Sequence, residues 1–422
     1  MGNGGSLRVG VIGAGAAGLE AVRTLTRAGY DVECFERAAE PGGHWHTDYE
    51  SLHLITPRDT SCFEGHPMPP HYPLFPSRDQ VRDYLLAFAE VYRLAEHIRF
   101  GTEVTEATPL PAGWRIRTAA GDDAEFDALV VANGHLWDPK LPGCARDFSG
   151  HALHSGAYRN ISDIKGERVL VVGAGNSGCD LAVDAATARK ATFLSMRHGQ
   201  VFQPKTFFGR PRSELRLLGR LPGWLAERVS RSLVRISVGT SEDYPGLPKP
   251  ATPNLNRQLP VVNSQLLYWI HHGRITVLPE ITRIEGQTVT FSDSATREFD
   301  TILWATGFRT SLPFLDGGLL SWRNGVPLRV GGLTVPVGPR RLYFVGLAAP
   351  RGAQFPVYSA QAKLIARLIG LEQRLSRPLA EVLSRVGRPD DRIDILRPVW
   401  GRQMAATHRL LDALDRASKA AA

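Results

Sequence analysis

Cysteine is scarce: the 422 residues hold four, Cys34, Cys62, Cys144 and Cys179, far apart and with no C-x-x-C pair. That excludes a redox dithiol, a zinc knuckle and a dense disulfide framework, and it fits a reducing, cytoplasmic setting. Long apolar runs are also missing. The longest, such as Ala128–Ala132 and Val169–Val172, fall far short of the roughly 18 residues that cross a bilayer, so no membrane partner is expected. No block of like charges occurs. The formal charge of +8 is nearly all arginine scattered along the chain, which reads as solvated surface rather than a footprint for nucleic acid. No G-x-S-x-G elbow supplies a hydrolase nucleophile. His44, His46, His53, His66 and His71 cluster in the sequence, but no cysteine or carboxylate set completes a ligand shell, so no metal is expected.

Glycine, with 42 residues, is abundant and placed informatively. Leu7–Ile12 is β-rich and feeds Gly13-Ala14-Gly15-Ala16-Ala17-Gly18, followed by an alanine- and leucine-rich helical stretch to Ala28 and a second strand over Asp31–Phe35 that ends at Glu36. Each part has a task in holding a dinucleotide. Gly13 permits the turn, Gly15 lets the backbone approach a pyrophosphate, Gly18 allows close helix–strand packing, and Glu36 meets a ribose 2′-hydroxyl. The pattern recurs as strand Arg168–Val172, turn Gly173-Ala174-Gly175-Asn176-Ser177-Gly178, helix Cys179–Ala188 and strand Ala191–Met196. There the acid is replaced by Arg197, whose guanidinium suits a 2′-phosphate and so selects NADP(H). Two dinucleotide sites imply a resident flavin and a nicotinamide that reduces it. Disulfide reductases, amine oxidases and monooxygenases all share such a frame. The missing C-x-x-C disfavours the first, and the second nucleotide unit disfavours a simple oxidase.

Between the units, Phe148-Ser149-Gly150-His151-Ala152-Leu153-His154-Ser155-Gly156-Ala157-Tyr158-Arg159 resembles the F-x-G-x-x-x-H-x-x-x-Y/F signature of the flavin-containing monooxygenases. Related Baeyer–Villiger enzymes usually end the signature in Trp-Pro, so Tyr158-Arg159 favours the heteroatom-oxygenating branch. Pro41-Gly42-Gly43-His44-Trp45 is similar to the family's G-G-x-W segment, Gly173–Gly178 with Asp180 to its second glycine turn, and Asp300–Phe308 to its D-x-I-x-x-A-T-G-Y/F stretch. Leu247–Pro250, Pro260–Ser264, Phe344–Leu347 and Gly352–Pro356 extend the likeness from about Val9 to Gly370. The resemblance implies an α/β fold of two Rossmann-like domains, the NADPH domain (161–308) inserted into an FAD domain (1–160 and 309–422). It implies FAD on Gly13, Gly15, Ala17, Gly18, Glu36, Gly43, His44, Trp45 and Gln354, and NADPH on Gly173, Gly175, Asn176, Ser177, Gly178 and Arg197. It further implies that O₂ is used through a C4a-hydroperoxyflavin to oxygenate an amine nitrogen or sulfide sulfur of a small molecule. A Baeyer–Villiger or other carbon-oxidising enzyme and a non-oxygenating NADPH-binding flavoprotein are the alternatives.

One departure concerns the reacting centre. In Ser51–Arg58 the family typically has asparagine before the threonine, and here that position is Ile55. Isoleucine forms no hydrogen bond, so a polar contact falls to Thr56, His53 or NADP⁺ itself. Leu215–Val234 has helical spacing and is expected to pack one apolar face on its own domain in preference to serving as a lid or a membrane-surface helix. Ser359–Leu371 is expected to be a flavin-domain helix. The tail from Arg374 to Ala422 is expected to be partly helical and to pack at the subunit interface of a homodimer.

Overall fold

The computed structural model describes residues 6–211, 215 and 221–421. Five strands build a first sheet: β1 (Arg8–Ile12), β2 (Asp31–Phe35), β3 (Ile98–Arg99), β4 (Ala128–Val131) and β10 (Leu342–Phe344), in the order β10-β4-β1-β2-β3. Another five build the second: β5 (His151–His154), β6 (Arg168–Val172), β7 (Ala191–Ser195), β8 (Ile275–Leu278) and β9 (Thr301–Trp304), in the order β8-β7-β6-β9-β5. All pairings within both sheets are parallel. Parallel strands are covered on both faces, which is why β1, β4 and β6 read as nearly unbroken apolar runs. Val9, Val11, Val130, Val169 and Val171 have no exposed surface.

The lobes repeat one set of layers. In the first, helices α1 (Ala16–Arg27), α2 (Arg78–Val91) and α6 (Phe355–Glu372) bury Leu19, Val22, Phe88, Leu364 and Leu368 against one sheet face. A three-stranded antiparallel sheet within 104–126 covers the other with Trp114, Ile116 and Phe126. In the second, α3 (Asn176–Thr187) and α5 (Gln265–His271) bury Leu181, Leu266 and Ile270, and another antiparallel trio within 281–298 brings Ile284, Val289 and Phe291 to the opposite face. Since β10 follows every strand of the second sheet in sequence, the second lobe is inserted into the first. Its edge strand β5 comes from residues before 161, and α3 starts at Asn176 rather than Cys179. Gly175 is extended (φ −75°, ψ −179°) and ends the turn, so Asn176 is already helical.

Helix α4 (Gly223–Val238) occupies part of the arginine-rich stretch, of which 212–214 and 216–220 lie outside the described residues. Its buried residue Val234 clusters with Phe207 and Leu255, with Leu233 and Val238 packed beside it, so the helix lays one narrow apolar face on its own lobe as expected, while Trp224 and Ile236 are exposed. The tail carries α7 (Arg397–Ala421). Trp400, Met404 and Leu411 join the core of its own lobe, and Arg367 of α6 pairs with Asp412 at 2.7 Å. These apolar residues of the tail are therefore covered within the chain.

Candidate active site

Both glycine turns sit at the C-terminal ends of central strands and are built alike. Gly13 (φ +98°) and Gly173 (φ +104°) adopt a left-handed backbone closed to L side chains, and their N–H groups donate to Phe35 O (2.8 Å) and Ser195 O (3.0 Å) at the ends of the neighbouring strands. A Cβ on Gly18 would lie 1.8 Å from Gly13 O, and one on Gly178 would lie 1.9 Å from Gly173 O, so these glycines are required by packing alone. Gly15 and Gly175 differ. A Cβ on Gly15 would meet only Gly43 Cα at 3.7 Å, and one on Gly175 would meet nothing within 4 Å. They cap α1 and α3 without a side-chain hydrogen bond, so no side chain satisfies the first N–H groups of either helix. Uncapped N–H groups and the positive end of a helix dipole form a cradle for phosphate.

Glu36 is buried at the end of β2. Its Oε2 accepts from Ala14 N–H at 2.6 Å and its Oε1 from Ala38 N–H at 2.8 Å, so the carboxylate braces the turn. A cavity of about 400 Å³ lined by Arg37, Arg99, Thr102 and Thr118 opens beyond it. Arg197 is exposed just past β7 and, among the described residues, has no acid or hydrogen-bond partner. That guanidinium is free to hold an anion.

Gly43–His46 is a single 3-10 turn against Gly15. His44 Nδ1 pairs with Asp48 Oδ2 at 2.5 Å, and its ring lies 4.9 Å from that of buried Trp45. Ala17 touches the loop after β10, since a Cβ on Gly346 would lie 2.8 Å from its own. Gln354 stands at the start of α6 with its side chain folded onto that loop, Nε2 donating to Pro350 O and Gly352 O at 2.8 Å. Ile55 is 40% exposed. Neither polar neighbour is simply available: Thr56 Oγ1 is bonded to Ser61 Oγ at 2.7 Å, and His53 Nδ1 to Ser51 O at 2.8 Å. In the inserted lobe, Asn176 Oδ1 accepts from Val262 N–H at 2.9 Å, which seats the Pro260–Ser264 segment beside the second turn. The Phe148–Arg159 signature forms β5, where His154 Nε2 is bonded to Gly307 O at 2.9 Å and fully buried Tyr158 reaches Asp184 of α3.

Two features escaped the sequence reading. His135 follows Gly134 just beyond β4 and hydrogen-bonds the backbone of Gly346; burial, with neighbouring His44, pushes its pKa down to about 4, so it is neutral. Its place past the C-terminal end of a central strand was the available signal. The second is a polar seam between lobes. Tyr49 Oη donates to Asp180 Oδ2 (2.8 Å), Ser51 Oγ to Asp184 Oδ2 (2.6 Å) and Asn263 Nδ2 to Asp180 Oδ1 (2.7 Å). Burial raises Asp180 to about 6 against these hydrogen bonds, and burial also lowers the pKa of nearby Lys205. Asp300, by contrast, braces the far end of the sheet, accepting from Glu167 and Arg168 N–H at 2.9 and 2.8 Å. Among the described residues no three histidine, cysteine or acidic groups gather as a metal site, and no helix is long and apolar enough to cross a membrane.

Residues 6–390 match the family described as flavin-binding monooxygenase-like. The chain belongs to that family. Flavin-containing monooxygenase 5 of Oryctolagus cuniculus is 30% identical over 386 residues, covering 84% of this chain and 72% of that protein. Flavin-containing monooxygenase 3 of Rattus norvegicus is 28% identical over 393 residues, covering 86% and 73%. Among solved structures, the flavin-containing monooxygenase from Stenotrophomonas maltophilia superposes with a TM-score of 0.67 at 23% identity, over 87% of this chain and 98% of its own. An ε-caprolactone-bound cyclohexanone monooxygenase gives 0.74 at 17%, over 99% and 98%. At such identities the shared property is the fold, two dinucleotide-binding lobes of mixed α/β structure. The chain is a flavin-dependent monooxygenase, an oxidoreductase that uses FAD and NADPH.

Proposed function

We propose that this monooxygenase oxygenates a soft nucleophile, an amine nitrogen or a sulfide sulfur, on a small molecule. The observation that carries the cofactor side of this reading is the contrast between two equally built turns, one beside the buried carboxylate of Glu36 and the other beside the exposed guanidinium of Arg197, which has no partner among the described residues. On this reading FAD lies in the first lobe, held by the α1 N-terminus at Gly13, Gly15, Ala17 and Gly18, by Glu36, and by Gly43, His44 and Trp45. Gln354 shapes the loop beside it, and the cavity beyond Glu36 takes its adenine end. NADPH lies in the inserted lobe on Gly173, Gly175, Asn176, Ser177 and Gly178, with Arg197 on the 2′-phosphate. The spare room at Gly15 and Gly175, which a Cβ would fill, suits a pyrophosphate at both turns.

FAD, when bound, supplies the activation of O₂, and the chain supplies placement and dryness. Ile55 offers no hydrogen bond where the family typically has asparagine, and neutral His135, beside His44 and Gly346, adds no competing charge. Tyr158-Arg159 in place of Trp-Pro supports heteroatom over ketone oxidation. The four cysteines are all free, which fits the cytoplasm, where NADPH is at hand. Mass spectrometry of products from amine, sulfide and ketone panels with NADPH and O₂ tests the reading. An N- or S-oxide supports it; an ester or lactone from a ketone, with amines and sulfides untouched, overturns it.

A further inference from the structure

Arg351 joins the loop ahead of α6 to the inserted lobe. Its N–H donates to Ile395 O at 2.9 Å, where Ala349–Pro350 pairs with Asp394–Ile395. The guanidinium is gripped by one carboxylate, Nε to Asp394 Oδ1 at 2.9 Å and Nη2 to Asp394 Oδ2 at 2.7 Å, with the side chain 18% exposed. Nη1 is left over and crosses to the other lobe, donating to Leu255 O at 2.5 Å with Gln258 O at 3.5 Å. Gln258 continues the line. Its Nε2 donates to Gly199 O at 2.9 Å and meets Gln200 Oε1 at 3.1 Å, immediately after Arg197 and His198. Gly199 itself is pressed onto Lys249 and Pro248, where a Cβ would lie 2.3 Å from backbone atoms, so this strip packs directly on the 248–249 backbone.

We propose that Arg351 is a positioning residue that sets the spacing between the two cofactor sites. The inference rests on the reading above, with FAD in the first lobe and NADPH in the second. A bidentate arginine–carboxylate pair is planar and holds its remaining donor in one direction, which a lysine does not reproduce. One end of the line is the Gly346–Gln354 loop beside the first turn. The other is the cation assigned to the 2′-phosphate. Transfer between two bound cofactors tolerates little slack, and a shift of about 1 Å typically lowers such a rate by about a hundredfold.

The test compares Arg351→Met, Arg351→Lys and wild-type holoenzyme. In anaerobic stopped flow with saturating NADPH, the limiting rate of flavin reduction should fall at least about tenfold in Arg351→Met and less in Arg351→Lys. FAD content and the rate at which chemically reduced enzyme reacts with O₂ should stay within about twofold, because the side chain of Arg351 contacts Asp394 and Leu255 and none of the residues assigned to FAD. Hydrogen exchange of the amides at 196–200 and 254–258 should accelerate in the ligand-free variant. A limiting reduction rate within twofold of wild type, unchanged exchange, or an equal loss in the O₂ reaction overturns the proposal. If Arg351→Met does not fold, Arg351→Lys and Gln258→Leu give the same readouts, the latter breaking the line at its next link. Failure of the wild-type flavin to be reduced by NADPH would instead overturn the cofactor assignment on which the strap depends.

Discussion

Gly175 and Gly178 stand one helical turn apart and should fail in opposite ways when each gains one methyl group. At Gly178 the new Cβ would lie 1.9 Å from Gly173 O and 3.1 Å from Ala305 Cβ, so α3 has to move off β6 by roughly 1 Å. Overpacking of that kind costs about 1–3 kcal/mol or more, only partly offset by the roughly 1 kcal/mol gained when alanine replaces glycine in a helix. At Gly175 the backbone is ordinary extended conformation and the Cβ meets nothing within 4 Å. The cost to stability there is the loss of a glycine N-cap, about 0.5–1 kcal/mol. The methyl would, however, occupy the space at the uncapped α3 N-terminus, and NADP⁺ affinity should drop at least about tenfold, or 1.4 kcal/mol. Urea unfolding and NADP⁺ titration of Gly175→Ala and Gly178→Ala, with FAD content as the control, separate the two. Wild-type NADP⁺ affinity in Gly175→Ala would remove the second turn as the pyrophosphate site; undiminished stability in Gly178→Ala would refute the packing argument.

Replacing Arg197 with alanine should weaken NADPH by about 1.5–3 kcal/mol, the worth of hydrogen bonds to a charged group, and leave NADH nearly unchanged; a retained preference for NADPH in the ratio of kcat/KM values contradicts the assignment. Ile55→Asn restores a hydrogen-bonding side chain beside Thr56, whose hydroxyl is already engaged by Ser61, and should lower the hydrogen peroxide released per NADPH oxidised. An unchanged peroxide ratio takes position 55 out of the coupling argument. Asp180 is held at about 6 by burial, above its usual 3.8, so the folded chain binds that proton more tightly than the unfolded chain. Its contribution therefore makes the protein most stable below about pH 4, declining as pH rises through 6 by at most about 3 kcal/mol. The difference in urea midpoint between wild type and Asp180→Asn should change over that window and be flat above pH 7; a constant difference refutes the sign.

Local chemistry made much of this molecule legible in its residues. Strand, glycine turn, helix and strand follow one another within about thirty residues in each unit, and their hydrogen bonds are short-range. Thus β2 over Asp31–Phe35 and β6 over Arg168–Val172 are found as read, and Gly13, Gly18, Gly173 and Gly178 sit where only glycine fits. Helix α3 starts at Asn176, three residues before Cys179, because the extended Gly175 caps it and the last residues of the glycine turn are already helical. What the chain order could not reveal depends on contacts between distant segments. That the tail spends Trp400 and Leu411 on its own lobe follows from packing against α6, and that Gln354 turns back onto its loop follows from two carbonyls in reach of its amide. His135 beside His44, Asp180 beneath Tyr49 and Arg351 on Leu255 join residues about 90 to 130 positions apart. The sequence alone determined two dinucleotide folds and the charge at the end of each second strand, since both are local. Only the tertiary structure decided how the lobes are held against each other, because that depends on side chains reaching across a gap that no periodicity records.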